Sequence, residues 1–66
     1  MYIGDKIRLL RHNKNITQAQ LAESLSVSSQ SVSKWENHIS TPDISILPAI
    51  ARQFGITMDE LFGYRL

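Results

Sequence analysis

Residues 17–37 read TQAQLAESLSVSSQSVSKWEN, and the fold follows from how this stretch is punctuated. Thr17 and Gln20 form a Thr-x-x-Gln capping box, in which each residue satisfies a backbone donor that the start of a helix leaves free. Leu21, Ala22 and Leu25 then supply the buried side of a helix over about residues 17–24. Ser26 and Val27 interrupt the pattern, and Ser28 is placed to cap a further helix whose apolar residues are Val32 and Trp35. Six serines fall between Ser24 and Ser33, a composition that flexible linkers share. Leu25, Val27, Val32 and Trp35 nevertheless recur too regularly for a linker, and the serines fall at caps and on a polar face. The stretch therefore predicts two helices joined by a very short turn.

The outer side of the second of these helices has an unusual composition. With Gln30 at zero and about 100° per residue, Val32, Trp35 and the cap Ser28 cluster at about 140 to 200°. Gln30, Ser33, Lys34 and Asn37 share the opposite side, giving one cation, three neutral hydrogen-bonding side chains and no carboxylate. Such a set suits the edges of bases, because Gln pairs in bidentate fashion with adenine, Lys with guanine, and Ser with either class of base. Ser29, at the start of the helix, is placed to reach a base or a phosphate. A merely solvated helix face is the plain alternative for any polar surface of this kind. Two helices joined by so short a turn, the second with an uncharged or basic polar face, are the helix-turn-helix arrangement.

Working outward, Ile3, Ile7 and Leu10 lie at i, i+4, i+7 and predict a first helix over about residues 4–13, with Asn15 as a left-handed stop. Pro42 marks a break after the third helix. Beyond it Ile44, Leu47, Ile50, Ala51 and Phe54 fall on one helical face. Pro48 fits only an early turn, so the regular helix is expected from near Ser45, with residues 43–45 as a tight lead-in and Gly55 as its end. Thr57 and Glu60 form a second capping box and open a short fifth helix that is expected to bury Leu61 and Phe62 before Gly63 closes it. No segment alternates with period two. The expectation is an all-α, compact five-helix domain, residues 1–66, with the helix-turn-helix in its second and third helices, standing alone or as the N-terminal domain of a longer chain.

A chain of 66 residues holds one small domain, and without cysteine that domain depends on its apolar core alone. Residues 1–5 lack a signal-peptide pattern, and no apolar run approaches the ~18 residues of a membrane span. The net charge of +1 is neutral in appearance but unevenly spread, with net +3 over residues 1–34 and net −2 over residues 35–66. An enzyme would need a nucleophile with a base, or a phosphate loop, whereas Gly4, Gly55 and Gly63 are dispersed helix punctuation. His12 and His38 are far apart with no carboxylate at ligand spacing, so neither a metal nor a cofactor is expected.

The stretch 17–37 resembles the Cro and phage-repressor type of helix-turn-helix, the XRE family. Ala22 stands where that family keeps a small residue, Leu21, Leu25, Val27 and Val32 where it keeps apolar ones, and KWEN (34–37) matches its usual end to the recognition helix. IGDKIRLLR (3–11) is similar to its first helix, and PDISILPAIARQFGITMDELF (42–62) to its fourth and fifth. One departure is Ser26, at a turn position often held by glycine, where a left-handed non-glycine residue costs roughly 1 kcal/mol.

The resemblance implies a bacterial or phage transcription regulator, most often a repressor, acting in the cytoplasm of a bacterium or of a phage's bacterial host. Ser29, Gln30, Ser33 and Lys34 would read bases in the major groove. Thr17, more a cap than a contact, would lie with Gln18 and Asn37 at phosphates. His38, Ser40 and Thr41 lie beyond the recognition helix, where the family touches backbone again. Arg11 and Glu36 would form a structural ion pair, and Trp35 would be mostly core. The partner would be a double-stranded, palindromic DNA operator bound by a homodimer, with residues 61–66 as the self-contact. A rival reading is a protein-interaction module, or an antitoxin-type partner, using the fourth and fifth helices of the same fold. Salt separates the two, because phosphate contacts weaken steeply with salt and apolar interfaces do not.

Overall fold

A computed structural model describes residues 2–63, over which the chain forms five α-helices: α1 (Ile3–Asn13), α2 (Gln18–Leu25), α3 (Ser29–Glu36), α4 (Leu47–Phe54) and α5 (Met58–Phe62). A 3-10 turn at Ile44–Ile46 precedes α4, and no strand occurs among the described residues. The capping side chains start the helices where the sequence places them. Thr17 Oγ1 accepts from the Gln20 N–H at 3.0 Å while Gln20 Oε1 accepts from the Thr17 N–H at 2.7 Å. Thr57 and Glu60 repeat this reciprocal pair at α5, and Ser28 Oγ accepts from the Ser31 N–H at 3.2 Å to open α3.

The stops share one device. After α1, α2, α3 and α4 the chain turns through a left-handed residue, Asn15, Ser26, His38 and Gly55, with φ of 57°, 59°, 61° and 66°. The next residue then donates back to a carbonyl five positions earlier: Ile16 to Arg11, Val27 to Ala22, Ile39 to Lys34 and Ile56 to Ala51, at 2.9 to 3.2 Å. This closure satisfies carbonyls that a helix end leaves free and reverses the chain within a few residues, which keeps the connections short. Ile16, Val27 and Ile56 also fold under onto the core, whereas Ile39 stays 71% exposed.

Each helix contributes one residue to the centre: Ile7, Leu21, Val32, Ile50 and Leu61 are all at most 1% exposed. Ala22, Leu25, Trp35, Leu47, Ala51 and Phe54 surround them. α1 crosses the end of α3 at Gly4, where a Cβ would stand 1.8 Å from the Trp35 carbonyl oxygen. The approach is backbone to backbone, so only glycine fits there.

Two expectations are corrected. Ile44 does not join the α4 face but is 80% exposed, and α4 begins at Leu47 rather than near Ser45. The reason is the 3-10 winding of residues 44–46, capped by Asp43, which turns the chain by about 120° rather than 100° per residue and carries Ile44 off the stripe. Pro48 consequently falls in the first turn of α4, where its missing N–H costs nothing. Phe62 is 44% exposed, and Leu61 alone of that pair is buried.

Ser26→Gly is expected to raise the stability of the domain by about 1 kcal/mol, because only glycine occupies φ near 60° without strain. Gly4→Ala is expected to lower it by about 1 to 3 kcal/mol or more through overpacking against Trp35. Urea midpoints at unchanged m-value measure both.

Candidate nucleic-acid interface

α3 is amphipathic in the literal sense that its two sides have separate duties. Val32 and Trp35 lie in the core, and Glu36, at the last turn, is 1% exposed. On the opposite side Ser29, Gln30 and Lys34 are exposed, and among the described residues their side chains have no hydrogen-bond partner within the protein. Ser33 is half-buried beside them, with its Oγ accepting from Asn37 Nδ2 at 3.2 Å. The face offered outward thus carries an amide, an ammonium and two hydroxyls.

The orientation of that face is held from below by Glu36. A carboxylate with no solvent contact needs donors on every side, since an isolated buried charge costs several kcal/mol. Arg11 grips it in bidentate fashion, Nε to Oε2 at 2.7 Å and Nη2 to Oε1 at 2.9 Å. Gln18 Nε2, from the first turn of α2, donates to Oε1 at 3.1 Å. Arg8 approaches Oε1 at 3.5 Å through Nε and donates through Nη2 to the Glu36 carbonyl at 3.0 Å. Arg11 Nη1 additionally donates to the Ile16 carbonyl at 2.9 Å, so one guanidinium ties the α1–α2 connection to the end of α3. Burial opposes ionisation of Glu36, but the hydrogen bonds from Arg11, Gln18 and Arg8 and the charge of Arg11 outweigh it and hold its pKa below the usual carboxylate range. The hydrogen bond to Glu36, with the carboxylate's charge behind it, raises the Arg11 pKa against a smaller effect of burial.

Of the residues singled out from the sequence, Ser29, Gln30, Ser33 and Lys34 come together on the outer side of α3. Arg11 and Glu36 meet beneath them. Thr17 caps α2, and the main-chain N–H groups of Gln18 and Ala19 lie at that helix's open start. Gln18 presents one amide hydrogen to Glu36 and keeps a second. Asn37 turns its amide nitrogen inward, onto the Ser33 carbonyl at 2.9 Å and the Ser33 hydroxyl. Trp35 is 6% exposed. Residues 64–66, half of the expected self-contact, lie outside the described residues.

Sequence reasoning missed Arg8 as a second cation on Glu36. The signal was present, because Arg8 stands three positions before Arg11 and so shares its side of α1. It also missed the pairing of His38, whose Nε2 lies 2.8 Å from Asp5 Oδ1 and whose ring packs on Tyr2 at 4.5 Å between centroids. Among the described residues no cluster of three potential ligands could hold a metal ion, and no helix is long and apolar enough to cross a membrane.

The helix-turn-helix family pattern matches residues 7–61. The chain is 44% identical over 63 residues to the HTH-type transcriptional activator BcrR of Enterococcus faecalis, covering 96% of this chain and 31% of that protein. It is 32% identical over 63 residues to the immunity repressor protein of Bacillus phage phi105, covering 96% of this chain and 44% of the repressor. The chain therefore spans less than half of either relative. Among solved structures it is similar to the P22 c2 repressor in complex with a synthetic operator, with TM-score 0.84, 30% identity and 92% of both chains covered. It is also similar to a transcriptional regulator from Listeria innocua, with TM-score 0.87, 28% identity, and 97% of this chain and 60% of that one covered.

Arg11→Ala should destabilise the domain by about 3 to 5 kcal/mol, since it strands a buried carboxylate. A melting temperature unchanged from the parent would refute the structural role. Because the Glu36 pKa is lowered by folding, its ionisation stabilises the folded state above the ordinary glutamate pKa of about 4.3, and that contribution is lost as pH falls through the lowered value. Melting curves between pH 7 and pH 2 should show the parent losing more stability on acidification than Glu36→Gln does.

Proposed function

Since the chain belongs to the helix-turn-helix family, we propose that it binds double-stranded DNA in a sequence-specific manner and regulates transcription by occupying an operator. The observation that carries this reading is the outer side of α3, where Ser29, Gln30 and Lys34 are exposed and unpartnered on a helix whose other side is built into the core. Polar side chains left without internal partners on a rigid helix are what direct readout in the major groove requires. Ser29, Gln30, Ser33 and Lys34 are the base readers.

Phosphate contacts then fall to the start of α2. The free N–H groups of Gln18 and Ala19 and the helix dipole favour an anion there, and Gln18 has a second amide hydrogen to offer beside the one it gives Glu36. Thr17, whose hydroxyl already caps α2, lies at the same place. Asn37 is the weakest of the proposed phosphate ligands, because its donors are turned onto Ser33. A single module reads few base pairs, so we assign it a two-fold operator bound by a homodimer, with half-sites roughly 34 Å apart. Phe62, exposed at the end of α5, is the described residue on which a self-contact would rest. Occupancy that excludes other proteins from the operator represses, which is the output we assign.

Selection of bound sequences from random duplex DNA at two salt concentrations tests this. The expected result is a palindromic consensus whose binding weakens as salt rises. No enrichment, or binding of a protein partner insensitive to salt, would favour the interaction-module reading. On the selected site Gln30→Ala and Lys34→Ala should each lose about 1 to 3 kcal/mol and relax one base position. Equal losses on random DNA would count against base reading.

A further inference from the structure

On the DNA-binding reading, we infer that Arg8 and Asn37 bias the Ser33 hydroxyl toward donating into the groove, so that Ser33 favours a base edge that accepts and disfavours cytosine at one operator position. The inference starts from the Asn37 amide, whose two ends have unlike neighbours. Its Oδ1 lies 3.5 Å from Arg8 Nη2, and its Nδ2 lies 2.9 Å from the Ser33 carbonyl oxygen. A guanidinium only donates and a carbonyl only accepts. The opposite amide orientation would set NH2 against guanidinium and carbonyl against carbonyl, so both neighbours impose the same one. Arg8 is itself held, through its bonds to the Glu36 carbonyl and carboxylate.

The consequence reaches Ser33. The same Nδ2 is 3.2 Å from Ser33 Oγ, and an amide nitrogen cannot accept, so Ser33 Oγ accepts there and its proton points elsewhere. Among the described residues no acceptor takes that proton. Other serines show the alternatives. Ser24 Oγ donates back to the Leu21 carbonyl at 2.7 Å, and Ser28 Oγ is used by the Ser31 N–H. Ser33 differs in having one of its two lone pairs engaged and its proton free, on the same side of α3 as Gln30 and Lys34, which leaves one acceptor position instead of two and polarises the hydroxyl toward donation.

A freely rotating serine meets either donors or acceptors, which is why serine ordinarily reads bases weakly. A serine biased to donate matches guanine N7 or O6, adenine N7 and thymine O4, and meets the cytosine amino group less well. Asn37 and Arg8 are positioning residues in this scheme and touch no base.

The test compares sequences selected from random duplex DNA by the parent chain, Ser33→Ala, Asn37→Ala and Asn37→Asp, with melting curves for each. The base position whose preference changes in Ser33→Ala identifies the Ser33 contact. There the parent should disfavour cytosine by roughly five- to tenfold. Asn37→Ala should relax the same position, because the hydroxyl regains its second acceptor position. Asn37→Asp should shift it toward cytosine, because a carboxylate takes the Ser33 proton and turns the lone pairs outward. Preferences within one variant are ratios, so a general loss of affinity from the added charge cancels, and Asn37→Ala decides the matter if the aspartate variant does not fold. Absence of any consensus for the parent overturns the DNA-binding reading itself. A parent consensus with cytosine at the Ser33 position, with no position responding to Ser33→Ala, or with that position unmoved by the Asn37 variants overturns this inference alone.

Discussion

The buried carboxylate of Glu36 is the constraint on which the rest of the arrangement depends. Hydrophobic contacts among five short helices are non-directional, and Val32 and Trp35 alone would let α3 rotate or slide by a few degrees without much change in buried area. Hydrogen bonds to a carboxylate are directional. Arg11 from α1 and Gln18 from α2 both donate to Glu36, so the end of α3 is tied to two other helices at once. A buried ion pair gains little over well-packed apolar side chains of similar volume, so registration is the better account of its presence than stability. Registration is what a reading surface needs, because a turn of one residue on a helix moves every side chain by about 100°.

The economy of the connections serves the same end. Four helices stop through a left-handed residue followed by a bond five positions back, and at three of these stops the residue is Asn15, Ser26 or His38 rather than glycine. Such ends leave no slack between α1, α2 and α3, so the displacement of one helix is felt by the next. Gly4 removes slack in another way, by letting the backbone of α1 touch that of α3. A 66-residue chain without cross-links has few other means of making a rigid platform.

Much of this was legible in the residues. The two capping boxes, the Ser28 cap, the left-handed Asn15 and the apolar stripes depend on neighbours within one turn, and local chemistry decides them. What escaped has two sources. Ile44 was misplaced because a uniform helical period was carried through a 3-10 turn, and Phe62 because spacing alone does not say which of two adjacent apolar residues faces the core. The partners of Arg8, Gln18, Asn37 and His38 involve pairs far apart in the chain or a choice among several acceptors, and spacing does not encode those. The side of α3 that faces outward was readable from composition. Which of its hydroxyls and amides already have partners was not.

That division among the outward residues bears on how proteins of this kind diverge. Ser29, Gln30 and Lys34 have no partner within the described protein, so drift at these positions leaves the core and the Glu36 node untouched. Duplicated copies could acquire new targets there by single substitutions without passing through an unfolded intermediate. Ser33 is different, because its hydroxyl is wired through Asn37 and Arg8 to the backbone carbonyl and carboxylate of the same Glu36 that sets the helix. On the proposed assignment of base readers, three positions can wander independently, while the fourth changes only in company with its neighbours, and one letter of recognition is slow to rewrite.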